Sequence, residues 1–225
     1  MPEISIINTK SANFHSVKKA IDLYNPGTLV TSSQQEIKNS KGIIIPGVSS
    51  TDTVLQNLSQ LKLDKVILDF YNSGKPILCI CVGMQILFER LEEGQIEGLG
   101  ILKGEVKKIP QKNSNKKEFK VPHMGWNQVE IVKKDKIFHD IKDNSEFYFV
   151  HSYYCVPEDK NLIISSTEYS LSMCSGIKIN NLYAFQFHPE KSSSDGLKIY
   201  KNFSAIVSGS KWKFILHSIL KTENV

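Results

Sequence analysis

The 225-residue chain has no long hydrophobic run; its longest apolar stretch, Pro76 to Phe88, contains Gln85 and is too short to cross a bilayer, which excludes a membrane span. The start, Met1-Pro-Glu followed by Ile4 to Ile7, lacks the basic opening and long apolar segment of a secretory signal. Cys79, Cys81, Cys155 and Cys174 show no pairing framework, so their thiols are expected to stay reduced in a cytoplasm. They are not a zinc site either, because clustered pairs are missing and Cys79-Ile80-Cys81 alone does not make one. No glycine-rich loop cradles a phosphate, so neither a nucleotide site nor any cofactor or metal is expected. No Pro/Gly/Ser-rich linker and no internal repeat divides the chain. One domain over residues 1–208 is expected, followed by a tail over 209–225 in which Trp212, Ile215, Leu216, Ile219 and Leu220 recur at helical spacing.

Charge is also scarce once it is located. The net charge of +5 is carried by Lys103 to Lys120, where seven lysines face Glu105 and Glu118, and the rest of the chain is neutral. That excess falls largely in a polar stretch, Gln111 to Lys117, that reads as an exposed loop, and no nucleic-acid module accompanies it.

The first half alternates strand-like runs (Ile4 to Ile7, Gly42 to Ile45, Pro76 to Ile80) with helix-like patterns (Ser16 to Leu23, Val54 to Phe70, Met84 to Leu91). This βαβ rhythm predicts an α/β fold with a parallel sheet covered by helices on both faces. After Gly94 come short Val/Ile/Tyr/Phe segments, Gly104 to Ile109, Gln128 to Val132, Glu146 to Val150, Asn161 to Thr167 and Leu182 to Phe187, which read as mixed or antiparallel strands added to that sheet. Asp195 fits the N-cap of a helix bearing Leu197, Tyr200, Phe203 and Val207.

The sharpest local feature is Lys75-Pro-Ile-Leu-Cys-Ile-Cys-Val-Gly-Met-Gln, a buried strand that turns at Cys81 into a helix, with Gly83 relieving the turn. Such an elbow exposes a nucleophile at the carboxyl end of a sheet, where a helix N-terminus favours thiolate. A second feature, Phe185-Gln-Phe-His-Pro-Glu, puts His188 and Glu190 two apart, with Pro189 holding His188 extended. A carboxylate on one ring nitrogen fixes the tautomer and leaves the other nitrogen to take a thiol proton.

Joined to Pro122-His-Met-Gly-Trp-Asn and Phe149-Val-His-Ser-Tyr-Tyr, these strings resemble the class I (triad-type) glutamine amidotransferases from about Ile4 to Phe203. The resemblance implies a flavodoxin-like, mostly parallel sheet and a glutaminase that works as a heterodimer with a cyclase (β/α)₈-barrel subunit in histidine biosynthesis. It makes Cys81 the nucleophile, His188 the base and then acid, and Glu190 the orienting carboxylate. Gln85, Glu93, Ser152 and Tyr153 would hold L-glutamine; Gly47, Val48 and Ser49 would form the oxyanion strand; Asn13, Met124, Trp126 and Lys191 would face the cyclase. Three positions depart from the family pattern: Ser49 stands where glycine is usual, Cys79 likewise, and Asn8-Thr-Lys-Ser-Ala-Asn13 replaces a loop with two glycines and an acid. These departures leave two rival readings, an ammonia-supplying paralogue for a different synthase, such as one that amidinates a surface-polysaccharide sugar, and a catalytically silent regulatory subunit. His123 and His151 read as packing or interface residues, and His15, His139 and His217 show no ligand spacing.

Overall fold

The computed structural model describes residues 3–10 and 13–209 of the chain. Strands β1 (Ile4–Ile7), β3 (Gly42–Ile45), β4 (Ile77–Ile80) and β12 (Leu182–Phe185) are buried at every residue. Such largely apolar runs, with Ser5 bonded to Ser40, suit strands covered on both faces, and these four run parallel with β2 (Leu29–Thr31) in the order β2-β1-β3-β4-β12. Helix α1 (Phe14–Asp22) returns the chain to the outer strand β2, whereas α2 (Gln34–Asn39) and the pair α3 (Thr51–Gln60) and α4 (Leu63–Asn72) carry it the other way. Right-handed crossovers of opposite direction put these helices on opposite faces. Helix α6 (Ser193–Val207) packs beside α1 and buries Ile199, Tyr200, Phe203 and Val207.

Beyond β12 the sheet continues antiparallel through β11 (Ser172–Ile179), β10 (Ile163–Glu168), β7 (His123–Ile131) and β8 (Ser145–His151). A side branch runs from β11 through β9 (Tyr153–Pro157) to β6 (Leu102–Lys108), which pairs in parallel with β5 (Phe88–Leu91). The result is the α/β architecture expected, a parallel core extended by antiparallel strands.

Several expected elements change. The single helix over Val54 to Phe70 is two, broken at Lys62, which is left-handed at φ 54° and re-aims the chain without a glycine or proline to announce it. The helix over Met84 to Leu91 is one turn, α5 (Val82–Gln85), followed by strand β5. Ile86, Leu87 and Phe88 are all fully buried, and a run apolar on every side carries no periodicity to separate helix from strand. Asp195 lies inside the first turn of α6, where it pairs with Lys198, and Ser192 holds the cap position. Strands β2, β9 and β11 and helix α2 had no counterpart among the expected elements. The stretch Gln111 to Lys117 is exposed except at Asn113, as a loop should be. The tail bearing Trp212 to Leu220 lies outside the described residues.

Gly83 tests how tightly the core closes around the elbow. A Cβ built there would sit 2.1 Å from the carbonyl oxygen of Ile45, a backbone atom that cannot move aside. Gly83→Ala is expected to destabilise the fold by about 2–3 kcal/mol, read as a lower urea midpoint. Gly100→Ala, at φ +66° in open space, is expected to cost only about 1 kcal/mol.

Candidate active site

Three adjacent parallel strands end at one level. Ile45 of β3 and Ala184 of β12 flank Cys79 of β4 in register, so the segments beyond them emerge side by side: Pro46 to Ser49, Cys81, and Gln186 to His188. The carboxyl ends of such strands are where α/β sheets place their sites. Cys81 donates its backbone N–H to the Phe185 carbonyl at 2.7 Å and then turns sharply, with φ 53° and ψ −112°. A non-glycine residue in that conformation costs on the order of 1–3 kcal/mol and is held by its surroundings. Gly47 supplies part of that hold, since a Cβ there would lie 2.6 Å from Val82 Cβ and 2.9 Å from Gly83 N. Its missing side chain lets the segment after β3 lie against the elbow. Cys79, where glycine was expected, is fully buried between Ala184 of β12 and Ile45 of β3.

His188 is fixed from both ends. Its backbone N–H donates to the Tyr148 carbonyl at 2.9 Å, and its own carbonyl accepts from Ser192 Oγ at 2.6 Å, while Ser192 Oγ accepts from Tyr148 N at 2.9 Å. Pro189 then opens a short 3-10 turn, Pro189–Lys191. Glu190 Oε1 lies 2.8 Å from His188 Nδ1, both side chains being 1% exposed, and Tyr200 Oη donates to Glu190 Oε2 at 3.3 Å. The carboxylate therefore accepts from Nδ1–H, which leaves Nε2 to exchange the proton. Burial pulls the His188 pKa down, but Cys81 and Glu190 outweigh it and push the value up to about 10.

The sulfur of Cys81 lies between a carbonyl acceptor and an amide donor: Val150 O at 3.9 Å and Gln186 Nε2 at 3.7 Å. His188 Nε2 is buried and makes no hydrogen bond among the described residues. Helix α5 has only four residues, so the helix-dipole support expected for a thiolate is small here. What faces the sulfur instead is the His188–Glu190 pair.

Cys81 and His188 open into a cavity of about 510 Å³, which Gln85, Glu93, Ser152 and Tyr153 also line. Val48, Ser49 and Lys191 complete its rim, whereas Gly47 lies behind it against the elbow. Gln85 spends its amide on the Tyr153 carbonyl (3.0 Å) and Gln186 Oε1 (3.1 Å), so its own oxygen is what remains for a ligand. Glu93 is anchored by the N–H of Thr51 at 2.8 Å, and the adjacent loop is tied to Asp52 through Gln95 N and Ile96 N. Beside the mouth, β7 presents Met124 (62% exposed) and Trp126 (51%), with the Trp126 and Tyr148 rings edge to face and Lys191 Nζ over Tyr148. Asn13 does not line the cavity; its side chain caps α1 by accepting from Ser16 N.

The other cysteines are inert by burial. It pushes Cys174 up to about 12 and raises Cys79 and Cys155 strongly as well. His123 and His151 do more than pack. His151 Nδ1 lies 2.7 Å from the Tyr153 carbonyl and must donate, so His151 Nε2 accepts from His123 Nδ1 at 2.9 Å, and His123 Nε2 accepts from Asn127 Nδ2 at 3.2 Å. Both rings are therefore neutral, in keeping with pKa values that burial lowers to about 4 for His123 and about 3 for His151. Gln186, Val150 and Tyr200 were not anticipated. Only Gln186 left a signal, a polar residue between two phenylalanines.

The sequence matches the family described as "Glutamine amidotransferase class-I" over residues 7–206. Among curated proteins it is 45% identical over 201 residues to the imidazole glycerol phosphate synthase subunit HisH of Methanocaldococcus jannaschii, covering 89% of this chain and 97% of that protein. It is 42% identical over 208 residues to the subunit of the same name from Moorella thermoacetica, covering 92% and 96%. Among solved structures, the fold is similar to the glutaminase domain of Trypanosoma brucei CTPS with bound acivicin (TM-score 0.66, 17% identity, 94% and 96% coverage). It is equally similar to PurLQS from Thermotoga maritima (TM-score 0.66, 19% identity, 90% and 97% coverage).

Two outcomes are expected. Glu190→Gln keeps an acceptor near His188 but removes the charge that supports its protonation, and should lower kcat by about 10²–10⁴-fold with little change in KM. The neutral histidine pair should make the fold acid-sensitive. Free histidine titrates near 6.5, so as pH falls from there toward 4 the unfolded chain binds protons that the folded pair refuses, and stability drops. Urea unfolding at several pH values should show this decline flattened in His123→Asn/His151→Asn, by at most about 1.4 kcal/mol per pH unit for each histidine removed.

Proposed function

The chain belongs to the class-I glutamine amidotransferases, and we propose that it is the glutaminase subunit of imidazole glycerol phosphate synthase, hydrolysing L-glutamine and passing the ammonia to a cyclase subunit. The observation that carries this reading is 45% identity to a HisH subunit across 97% of that protein, joined to a buried cysteine and histidine at one cavity, with Glu190 bonded to the histidine.

In this reading the Cys81 thiol gives its proton to His188 Nε2 while the sulfur attacks the side-chain amide carbon of glutamine. The oxyanion is met by N–H groups of the Gly47–Ser49 segment, and donors of this kind are each worth about 3–4 kcal/mol of barrier. The His188 proton then passes to the departing nitrogen, which leaves as ammonia. Water, deprotonated by the same ring, hydrolyses the γ-glutamyl thioester to glutamate and restores the thiol. Glu190 accepts from Nδ1–H throughout, steadying the imidazolium. The Gln85 oxygen and the Glu93 carboxylate suit the ammonium end of glutamine, with Ser152 and Tyr153 completing its seat. Bulk water would trap ammonia as ammonium, so the mouth must be sealed. Met124, Trp126 and Lys191, exposed beside it, would meet a (β/α)₈-barrel cyclase, and Asn13, at the N-cap of α1, is expected to join that contact.

We place the reaction in the cytoplasm. Among the described residues no helix is long and apolar enough to cross a membrane, and all four cysteines are free. Ser49, one of the departures behind the rival readings, lines the cavity with Cys81 and His188, and His188 keeps its Glu190 partner.

Purified chain should release glutamate slowly by itself and much faster with the same organism's cyclase and its nucleotide substrate, with Cys81→Ser as the blank. No activation by a cyclase that is active on added ammonia would overturn the partner assignment. Ser49→Gly should raise the unpartnered rate roughly five- to tenfold, since a segment freed of a Cβ reorients at about 1 kcal/mol less cost.

A further inference from the structure

The strand that delivers His188 continues as Phe185-Gln-Phe, and the middle residue breaks the pattern of the core. Gln186 is 1% exposed, between two buried phenylalanines whose rings stack 4.8 Å apart. The two ends of a glutamine amide have the same shape, but here the hydrogen bonds tell them apart. The Tyr153 carbonyl can only accept, so the group of Gln85 that lies 3.0 Å from it is the nitrogen. That nitrogen also reaches Gln186 at 3.1 Å, which makes the contacted atom of Gln186 its oxygen. The other end of Gln186, its Nε2, then points at Cys81 Sγ, 3.7 Å away. One backbone carbonyl thus sets the polarity of a chain that ends on the sulfur.

We propose that Gln186 is a further catalytic residue, whose amide N–H donates to the Cys81 sulfur and stabilises negative charge on it. The inference rests on Cys81 being the nucleophile. Gln186 gives up no proton: the thiol proton goes to His188, the S–C bond forms to the amide carbon, and Gln186 only holds a donor to sulfur before attack and again as sulfur departs from the thioester. A hydrogen bond to a charged acceptor is stronger than one to a neutral acceptor, so the contact favours thiolate over thiol. The Val150 carbonyl on the other side can interact only with the thiol. Ionisable groups around the sulfur come from each neighbouring element: His188 and Lys191 after β12, His151 on β8, Tyr153 and Cys155 on β9, and Glu93 after β5. Unlike all of these, Gln186 supplies a donor with no charge and no titration of its own.

The test is the rate of Cys81 alkylation by iodoacetamide as a function of pH, in the full chain without a partner, with Cys81→Ser as baseline. Gln186→Met removes the donor at similar length. Gln186→Glu keeps the oxygen that Gln85 requires and turns the other end into an acceptor. The midpoint of the profile should rise by about one unit in Gln186→Met, making alkylation near neutral pH about tenfold slower, and should rise further in Gln186→Glu. Urea midpoints report whether each variant folds, and should Gln186→Met fail, Gln186→Glu decides. Profiles that superimpose on the wild type overturn the proposal. A wild-type rate no faster than the Cys81→Ser baseline overturns the nucleophile assignment and this inference with it.

Discussion

The parallel pairing of β3, β4 and β12 is the constraint on which everything else depends. Hydrogen bonding locks the three strands in register at Ile45, Cys79 and Ala184, so that the segments beyond them leave the sheet together. Cys81, His188 and the Gly47–Ser49 segment, distant in the sequence, thereby become neighbours. The turn at Cys81 is strained, and the strain is tolerated because Gly47 and Gly83 permit a closeness that a single methyl group would prevent.

Electrostatics then does what the short helix α5 cannot. With only four residues in the helix after Cys81, the macrodipole is weak, and the surroundings of the sulfur are built instead from Gln186 and from His188 with its partner Glu190 and, behind it, Tyr200. Glu190 raises the affinity of His188 for a proton, and Tyr200 and the Tyr148–Ser192 bonds keep both groups where they are. On the far side, the neutral His123–His151 pair joins strand β7, which carries Trp126, to the Tyr153 carbonyl on the cavity wall. Protein that would lie against the exposed hairpin is thereby one hydrogen-bonded chain away from Gln85.

Much of this was legible in the residues. Largely apolar runs announced β1, β3 and β4, Gly83 announced the turn after β4, and the spacing of His188, Pro189 and Glu190 announced the buried histidine–carboxylate pair. What escaped did so for physical reasons. Lys62 adopts a left-handed conformation that its side chain does not advertise, and the buried run Ile86 to Phe88 fits helix or strand equally well. Ser192 takes the N-cap position of α6 without a capping side-chain bond, its hydroxyl being engaged by Tyr148 N, 44 residues away, and by the His188 carbonyl. Hydrogen-bond polarity at Gln186 and in the histidine pair depends on a carbonyl supplied by another strand, and no local pattern encodes it.

The account stands or falls on covalent chemistry at Cys81, and intact-mass analysis of the chain quenched during turnover with L-glutamine addresses it directly. A glutamyl adduct is expected that maps to the peptide bearing Cys81 and vanishes in Cys81→Ser. Glutamate release with no adduct on Cys81, or with an adduct on another cysteine, would contradict it.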